Sequence, residues 1–283
     1  MILFSQYVRK NDRKGEWTMK KSGSKKLWKV VFLMALLVCV GCVLYFGITT
    51  YQNYRAEKHR QEILEAMEST EFTGEMEGDE PDIPKGIRHG EEVDFEKLQK
   101  INEELYAWIY IPNTKVDYPI AQSKDDNGYY LKYNMNKEPE FAGCIYTENY
   151  NSKDFEDPNT VIYGHNMRND SMFGSLHEFE DPEFFEENKF VFIYTPEKTL
   201  TYRIFAAYEY DDRHILGTFD FSDKKIYEDY LKSIYEVNTM ISNYREDVKV
   251  TSDDKIITLS TCASGKTESR YLVQAVLEDV KTR

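Results

Sequence analysis

Cysteine is scarce in this chain of 283 residues, and its placement excludes one class of protein. Cys39 and Cys42 fall inside a long apolar run, which leaves only Cys144 and Cys262 for the rest of the chain. Two cysteines cannot form the multiple disulfides that hold together a small secreted domain. The Cys39-x-x-Cys42 spacing has no second pair elsewhere, so we interpret both residues as small apolar side chains rather than as a redox or metal site.

Basic residues are also in deficit, with 36 Lys and Arg against 50 Asp and Glu and a net charge of −14. The deficit is uneven. Residues 1–29 hold nine basic and two acidic residues, a net charge of +7, so the rest of the chain carries −21. Because nucleic acid is itself strongly negative, this acidic body argues against nucleic acid as a partner.

The segment from Val30 to Ile48 contains no charged residue and no proline. As a helix, its 19 residues would span roughly 28 Å, close to the hydrocarbon thickness of a bilayer. We therefore predict a single transmembrane helix at 30–50. Since basic residues precede it, the N-terminus is predicted to be cytoplasmic and the remainder extracellular. A cleaved signal peptide is the competing interpretation, but the apolar run is longer than such peptides usually have.

Two further segments lie outside the predicted compact domain. Back-translation of residues 14–19 gives a stretch that resembles a bacterial ribosome-binding site followed by a start codon, so we expect translation to begin at Met19 and residues 1–18 not to be translated. Residues 51–92 are polar and acidic, rich in glycine and proline after about position 69, and are predicted to form a stalk that begins as a helical extension. The compact domain is expected to occupy 93–283.

Short β-rich segments separated by turn residues dominate that domain. Asp94 predicts the start of a helix through Tyr106, and two helical insertions are predicted at about 171–179 and 222–244, the longer with Ile226, Tyr230, Ile234, Val237 and Ile241 on its apolar face. The predicted strands are 107–111, 116–121, 142–147, 160–163, 189–195, 200–210, 255–261 and 271–278. Eight strands favour an all-β barrel or sandwich with helical insertions.

Cys262 and His165 each end a predicted strand, which is where a reactive side chain is both held and accessible. Arg270 begins the strand that returns after Cys262, beyond a polar loop with Ser264, Gly265 and Lys266. A thiol, an imidazole and a guanidinium together suit acyl transfer from an amide. The alternative is a buried structural cysteine beside a solvated arginine. Metal binding is disfavoured because no paired ligand spacing accompanies His165.

Four stretches resemble the sortases, membrane-anchored cysteine transpeptidases of Gram-positive bacteria, and class B in particular. The sequence TLSTC, residues 258–262, followed by Arg270 resembles the family's cysteine motif. WIYIP at 108–112, with Val116 and Pro119, resembles its opening strands. VIYGHNM at 161–167 and SMFG at 171–174 resemble the class B histidine loop. The helical insertion before the cysteine strand is a further class B trait.

The resemblance implies an eight-stranded sortase-type β-barrel with an N-terminal helix and a long helix before the cysteine strand. It implies that Cys262 is the nucleophile, His165 the acid and base, and Arg270 the stabiliser of the oxyanion. It also implies that a group of residues lines the groove for the sorting signal: Asn127, Leu131, Tyr163, Ser260 and Thr261. It implies no cofactor and no metal. We expect a monomer.

Three functions are open at this point. The first is anchoring of secreted proteins, through a C-terminal sorting signal, to the amine of a peptidoglycan precursor such as lipid II. The second is pilus polymerisation, with a pilin lysine as the acceptor. The third is a membrane-tethered, non-catalytic module that binds extracellular peptides, with Cys262 as a structural residue.

Overall fold

The computed structural model describes residues 24–67, 93–263 and 268–283. The predicted untranslated segment 1–18, the acidic part of the stalk at 68–92 and the loop residues Ser264, Gly265 and Lys266 lie outside the described residues. The chain divides between Tyr51 and Gln52 into two units.

One long helix, α1 (Ser24–Met67), contains the predicted membrane span and the predicted helical start of the stalk. Its segment Leu27–Lys58 is long and apolar enough to cross a membrane. Large apolar side chains along it are exposed, among them Phe32, Leu37 and Val43. Because water disfavours such a surface, the helix is consistent with a membrane-anchored protein.

The helix α2 (Phe95–Ile101) begins as predicted, since the Asp94 carboxylate accepts a hydrogen bond from the backbone N–H of Lys97 at 2.9 Å. The prediction that it continues to Tyr106 is wrong. Asn102 leaves the helix with an extended backbone, and its side-chain amide donates to Tyr130 Oη and to the Met135 carbonyl. The following residues then enter the first strand.

All eight predicted strands are present, and a short ninth strand, β7, was not predicted. The strands are β1 (Leu105–Tyr110), β2 (Asp117–Ala121), β3 (Ile145–Thr147), β4 (Asn159–Tyr163), β5 (Phe190–Tyr194), β6 (Lys198–Asp211), β7 (Asn243–Tyr244), β8 (Ile256–Cys262) and β9 (Ser269–Thr282). Most of the predicted boundaries agree to within three residues.

Eight of these strands close into a barrel, as predicted. They lie in the order β5-β1-β2-β3-β4-β8-β9-β6, and β6 pairs back with β5, while β7 adds to the far side of β6. The pairs β2–β3 and β4–β8 are parallel, and the other pairs are antiparallel. Alternate residues fill the interior with aliphatic side chains, including Ile109, Ile120, Ile145, Ile162, Ile193, Leu200, Ile257, Leu259 and Val273.

The helical insertions differ from the prediction in length. The first is a 3₁₀ helix, Gly174–Glu180, followed by α3 (Pro182–Glu187). The second is α4 (Ile215–Thr218) and then α5 (Lys224–Ile234), which Asp223 caps. The helix α5 does not reach Tyr244, because Asn243 and Tyr244 pair with β6 as β7.

The buried face of α5 agrees with the predicted face at Tyr230 and Ile234 and differs at its other positions. Its buried side chains are Tyr227, Tyr230, Leu231 and Ile234, whereas Ile226 is 37% exposed. These four side chains follow the helical spacing i, i+3, i+4, i+7 and pack on the outer face of the barrel together with Phe205.

Gly164 is a position where the barrel tolerates no side chain, and this yields a test of the packing. A Cβ atom there would lie 2.5 Å from Ile145 Cδ1 and 2.7 Å from Phe173 Cγ. We expect Gly164→Ala to lower the free energy of unfolding by about 1–3 kcal/mol through overpacking. The measurement is unfolding of the full-length protein in detergent by urea, followed by near-ultraviolet circular dichroism.

Gly128→Ala is the matched control. Its added Cβ would lie 3.5 Å from Asp126 Oδ1, an ordinary contact, at a φ of −94° that any residue adopts. We expect a change within about 0.5 kcal/mol. Equal unfolding midpoints for the two variants would contradict the interpretation of Gly164.

Candidate active site

Cys262 is the last residue of β8, and its side chain is exposed. It lies opposite Arg270 in the antiparallel pairing of β8 with β9. The N–H of Ala263 donates to the Ser269 carbonyl at 3.0 Å, which makes Cys262 and Arg270 a non-hydrogen-bonded pair. Side chains of such pairs lie on one face and at their closest. The Arg270 side chain therefore flanks the thiol from β9.

His165 approaches Cys262 from the other side through the parallel pairing of β4 with β8. Tyr163 pairs with Ser260, and the Gly164 N–H donates to the Ser260 carbonyl at 3.2 Å. Extending this register by two residues places His165 level with Cys262 and on the same face. With adjacent strands about 4.8 Å apart, His165, Cys262 and Arg270 form one row across three strands.

The imidazole of His165 is held by two neighbours from outside the strands. Its Nε2 lies 2.8 Å from the Leu131 carbonyl oxygen, so Nε2 carries a hydrogen and donates it. The Phe141 ring stacks on the imidazole with centroids 5.6 Å apart. Because Nε2 is engaged, Nδ1 is the nitrogen left to exchange a proton with a reacting group.

Three of the five predicted groove residues lie around this row. Tyr163 and Ser260 form a cross-strand pair on the same face of β4 and β8. They come two residues before His165 and Cys262 respectively. Leu131, which is 39% exposed, ends the 3₁₀ helix Tyr129–Leu131 and reaches His165 through its carbonyl.

The other two predicted groove residues are placed differently. The Thr261 side chain is buried on the barrel-interior side of β8, and its hydroxyl donates to the Gly164 carbonyl at 2.8 Å. This hydrogen bond joins β8 to Gly164, the residue before His165. The Asn127 side chain accepts a hydrogen bond from the backbone N–H of Asn149 at 2.8 Å, which joins two loops.

An acidic group that the sequence did not indicate lies on the same face. Glu148 follows β3, and its Oε2 lies 2.6 Å from His214 Nε2 and 3.4 Å from Tyr163 Oη. His214 Nδ1 accepts from the Gly217 N–H at 2.8 Å, so Nε2 donates to the carboxylate. Burial, together with the Glu148 charge, raises the pKa of Tyr163 well above its ordinary value. His214 lies in an exposed loop after β6, and its bond to Glu148 spans 66 residues of the sequence.

Tyr146 links Glu148 and its partner Tyr163 to the row formed by His165, Cys262 and Arg270. Its ring stacks on Tyr163 with centroids 5.4 Å apart. Burial raises the pKa of Tyr146 above its ordinary value, the negative charges of Glu148 and of the Cys262 thiolate add to the increase, and Arg270 opposes it. Cys262 and Arg270 are therefore electrostatic neighbours of this tyrosine pair.

Two polar residues missed by the sequence analysis contact the carbonyl oxygen of Cys262. They are Asn166, whose Nδ2 donates at 2.9 Å, and His177, whose Nε2 lies 3.1 Å away. His177 lies on the 3₁₀ helix Gly174–Glu180. It lies 85 residues from Cys262 in the sequence, so no local pattern could have paired them.

Cys144 differs from Cys262 in its exposure to solvent. It is buried in the cluster around Trp108 and Tyr130, whereas Cys262 is exposed. Burial raises the pKa of Cys144 to about 12.

This contrast predicts selective modification by iodoacetamide at pH 8. Since only the thiolate reacts, roughly 10⁻⁴ of Cys144 is reactive at that pH, four units below its pKa. We expect peptide mapping by mass spectrometry to find Cys262 modified and Cys144 intact, and both modified after unfolding in urea. Modification of Cys144 in the folded protein at a rate similar to that of Cys262 would contradict this placement.

Comparisons with known proteins agree with this geometry. The sequence model of the Sortase domain matches residues 109–278. The chain is 35% identical over 247 residues to sortase B of Listeria monocytogenes, covering 85% of this chain and 94% of that protein. It is 26% identical over 254 residues to sortase B of Staphylococcus aureus, covering 89% of this chain and 97% of that protein.

Solved structures of sortase B have the same fold. The Clostridium perfringens enzyme matches with a TM-score of 0.60 and 35% identity, over 66% of this chain and all of that chain. The Bacillus anthracis enzyme, in complex with AAEK1, matches with a TM-score of 0.64 and 32% identity, over 81% of this chain and 98% of that chain. This chain therefore belongs to the sortase family and is a class B sortase, a cysteine transpeptidase that processes surface proteins.

Proposed function

We propose that this sortase attaches secreted proteins to the cell wall, with Cys262 as nucleophile, His165 as acid and base, and Arg270 as the electrostatic stabiliser. The observation that carries the proposal is the row formed by these three side chains on one face of β4, β8 and β9. An exposed thiol between an imidazole and a guanidinium suits acyl transfer from an amide.

In the first half of the reaction, the Cys262 thiolate attacks a peptide carbonyl in the sorting signal. The S–C bond forms first and gives a tetrahedral intermediate. The C–N bond then breaks, and the leaving amine takes a proton from His165 Nδ1. The Leu131 carbonyl supports this step, because a hydrogen bond to Nε2 holds the ring in one orientation and stabilises the imidazolium.

Arg270 lies on the opposite side of the thiol, where negative charge develops on the carbonyl oxygen. Its fixed positive charge lowers the energy of the tetrahedral intermediate without needing a proton transfer. Because Cys262 and Arg270 are a close cross-strand pair, this charge is positioned before the substrate binds.

In the second half, an amine acceptor attacks the thioacyl carbon. Its proton passes to His165 Nδ1, the new C–N bond forms, and the Cys262 thiolate leaves. The same nitrogen therefore serves as acid in the first half and as base in the second. We assign the acceptor to a peptidoglycan precursor such as lipid II.

The sorting signal would lie along the outer face that leads away from Cys262. Leu131, Tyr163 and Ser260 border this path, and the stacked Tyr146 and Tyr163 rings form its floor. Asn127 would shape the path through its contact with Asn149, and Thr261 would act by holding β8 against Gly164.

The membrane places the enzyme beside its substrates. In this proposal α1 crosses the bilayer at 30–50 with the basic residues 1–29 in the cytoplasm. Residues 51–92 form the stalk, and the catalytic domain, 93–283, is extracellular and acts as a monomer. Secreted proteins and lipid-linked wall precursors both occur at this surface.

The proposal predicts cleavage of one class of sorting peptide. We would incubate the full-length protein in detergent with fluorogenic peptides carrying NPQTN-, SPKTG-, PPKTG- or LPETG-type signals. We expect cleavage of at least one peptide, and we expect Cys262→Ala, His165→Ala and Arg270→Ala each to lower kcat/KM by about 10³-fold or more.

Folding of each variant is checked by circular dichroism, and Cys144→Ala is the matched control for the thiol. We expect Cys144→Ala to retain cleavage, because Cys144 is buried away from the row. Retained cleavage in Cys262→Ala would contradict the assignment of the nucleophile. No cleavage by the folded parent, even with an added amine, would favour the peptide-binding module over this activity.

Product analysis separates wall anchoring from pilus assembly. In cells that carry the active enzyme, we expect the client protein in the wall fraction, joined through its C-terminal carbonyl to a wall amine, as shown by mass spectrometry after muramidase digestion. A ladder of client oligomers joined through lysine would instead identify a pilin polymerase. The Cys262→Ala strain should give neither product.

A further inference from the structure

The backbone carbonyl of Cys262 points away from β9, because Cys262 and Arg270 are a non-hydrogen-bonded pair. It therefore faces the β4 side of β8. The last ladder bond from that side is donated by the Gly164 N–H to the Ser260 carbonyl. In a continued ladder the backbone N–H of Asn166 would be the next donor. The side-chain amide of Asn166 donates instead, with Nδ2 2.9 Å from the Cys262 oxygen.

Asn166 is itself held by His177. The amide Nδ2 of Asn166 lies 2.9 Å from His177 Nε2, so its second hydrogen is donated there when that nitrogen is unprotonated. His177 Nδ1 then carries the proton and donates it to Glu180 Oε1 at 2.6 Å. These bonds form a chain from a carboxylate to the backbone of the nucleophile.

The ring of His177 is largely buried. The His177 side chain is only 14% exposed, and its ring stacks on the buried Tyr271 with centroids 4.9 Å apart. The bond to Glu180 is strengthened by the charge of the carboxylate. His177 Nε2 also lies 3.1 Å from the Cys262 carbonyl oxygen, so the ring packs directly beside the atom to which Asn166 donates.

Asn166 also follows His165 in the chain, so the bond from its amide joins the histidine loop to the end of the cysteine strand. β8 ends at Cys262, and on the β4 side its carbonyl is held by side chains instead of a strand. Any movement of Asn166 therefore changes the separation and orientation of the imidazole and the thiol.

We propose that His177 is a positioning residue for the transpeptidase reaction: held by Glu180, it fixes the Asn166 amide on the Cys262 carbonyl and so sets the geometry between Cys262 and His165. This inference rests on the proposed roles of those two residues. His177 takes part in no proton transfer with the substrate.

The test compares His177→Phe, His177→Gln and Glu180→Gln in the full-length protein in detergent. Phenylalanine keeps a ring over Tyr271 but has no nitrogen, whereas the glutamine amide can still donate to the Cys262 carbonyl. We expect His177→Phe to lower kcat for peptide cleavage about 10- to 100-fold with KM changed less than about twofold. We expect His177→Gln to recover most of the loss and Glu180→Gln to lower kcat about threefold.

A second readout does not depend on the peptide. The rate constant for modification of Cys262 by iodoacetamide at pH 7 should fall several-fold in His177→Phe, because the thiol loses its alignment with His165 and Arg270, and it should recover in His177→Gln. Glu187→Gln is the control for Glu180→Gln, since Glu187 is an exposed residue at the end of α3 and should leave both rates unchanged.

The outcomes separate the inference from the proposed function. The inference is overturned if His177→Phe has the kcat and the modification rate of the parent. It is also overturned if His177→Phe and His177→Gln lose kcat equally and their Tm values fall equally, because that result indicates a role in packing alone. If the parent cleaves no peptide, the proposed function fails and the modification rates alone decide the role of His177.

Discussion

The parallel pairing of β4 with β8 is the constraint on which the active site depends. It aligns Tyr163 with Ser260 and therefore brings His165 level with Cys262, although the two residues are far apart in sequence. A shift of this register by one residue would turn one of the two side chains into the barrel interior, because side chains alternate between faces. The hydrophobic interior at Ile162, Ile257 and Leu259 fixes the register and so fixes the site.

The outer face of the barrel is covered in two places, and the site lies between them. One cover, which includes α2 and Tyr130, packs on Trp108 and Phe192, and the other, α4 and α5, packs on Phe205. Tyr163 contacts both clusters. The residues of β4 and β8 that face outward between the two covers, among them Val161 and Thr258, are buried, and this face becomes accessible at Cys262, which is exposed.

The proposed catalytic groups lie where the ladders end, and ends of strands leave backbone groups that need other partners. Here side chains and loop carbonyls supply those partners. Thr261 bonds to the Gly164 carbonyl, Asn166 bonds to the Cys262 carbonyl, and the Leu131 carbonyl accepts from His165. Each of these bonds joins segments distant in sequence, so the site is rigid where the sheet itself no longer holds it.

Local patterns in the sequence determined the apolar span, the eight strands, the Asp94 cap and the candidacy of Cys262, His165 and Arg270, because periodicity and strand ends are properties of neighbouring residues. The length of α5 was predicted wrongly because the helix ends at Ile234 and the last residues assigned to it, Asn243 and Tyr244, pair instead with β6, a contact between distant segments. Only the tertiary structure decided that His214 meets Glu148 and that His177 meets the Cys262 carbonyl. Those contacts join residues that are 66 and 85 positions apart in the sequence. A periodic pattern depends only on neighbouring residues, so it does not indicate which distant segments come together in the barrel.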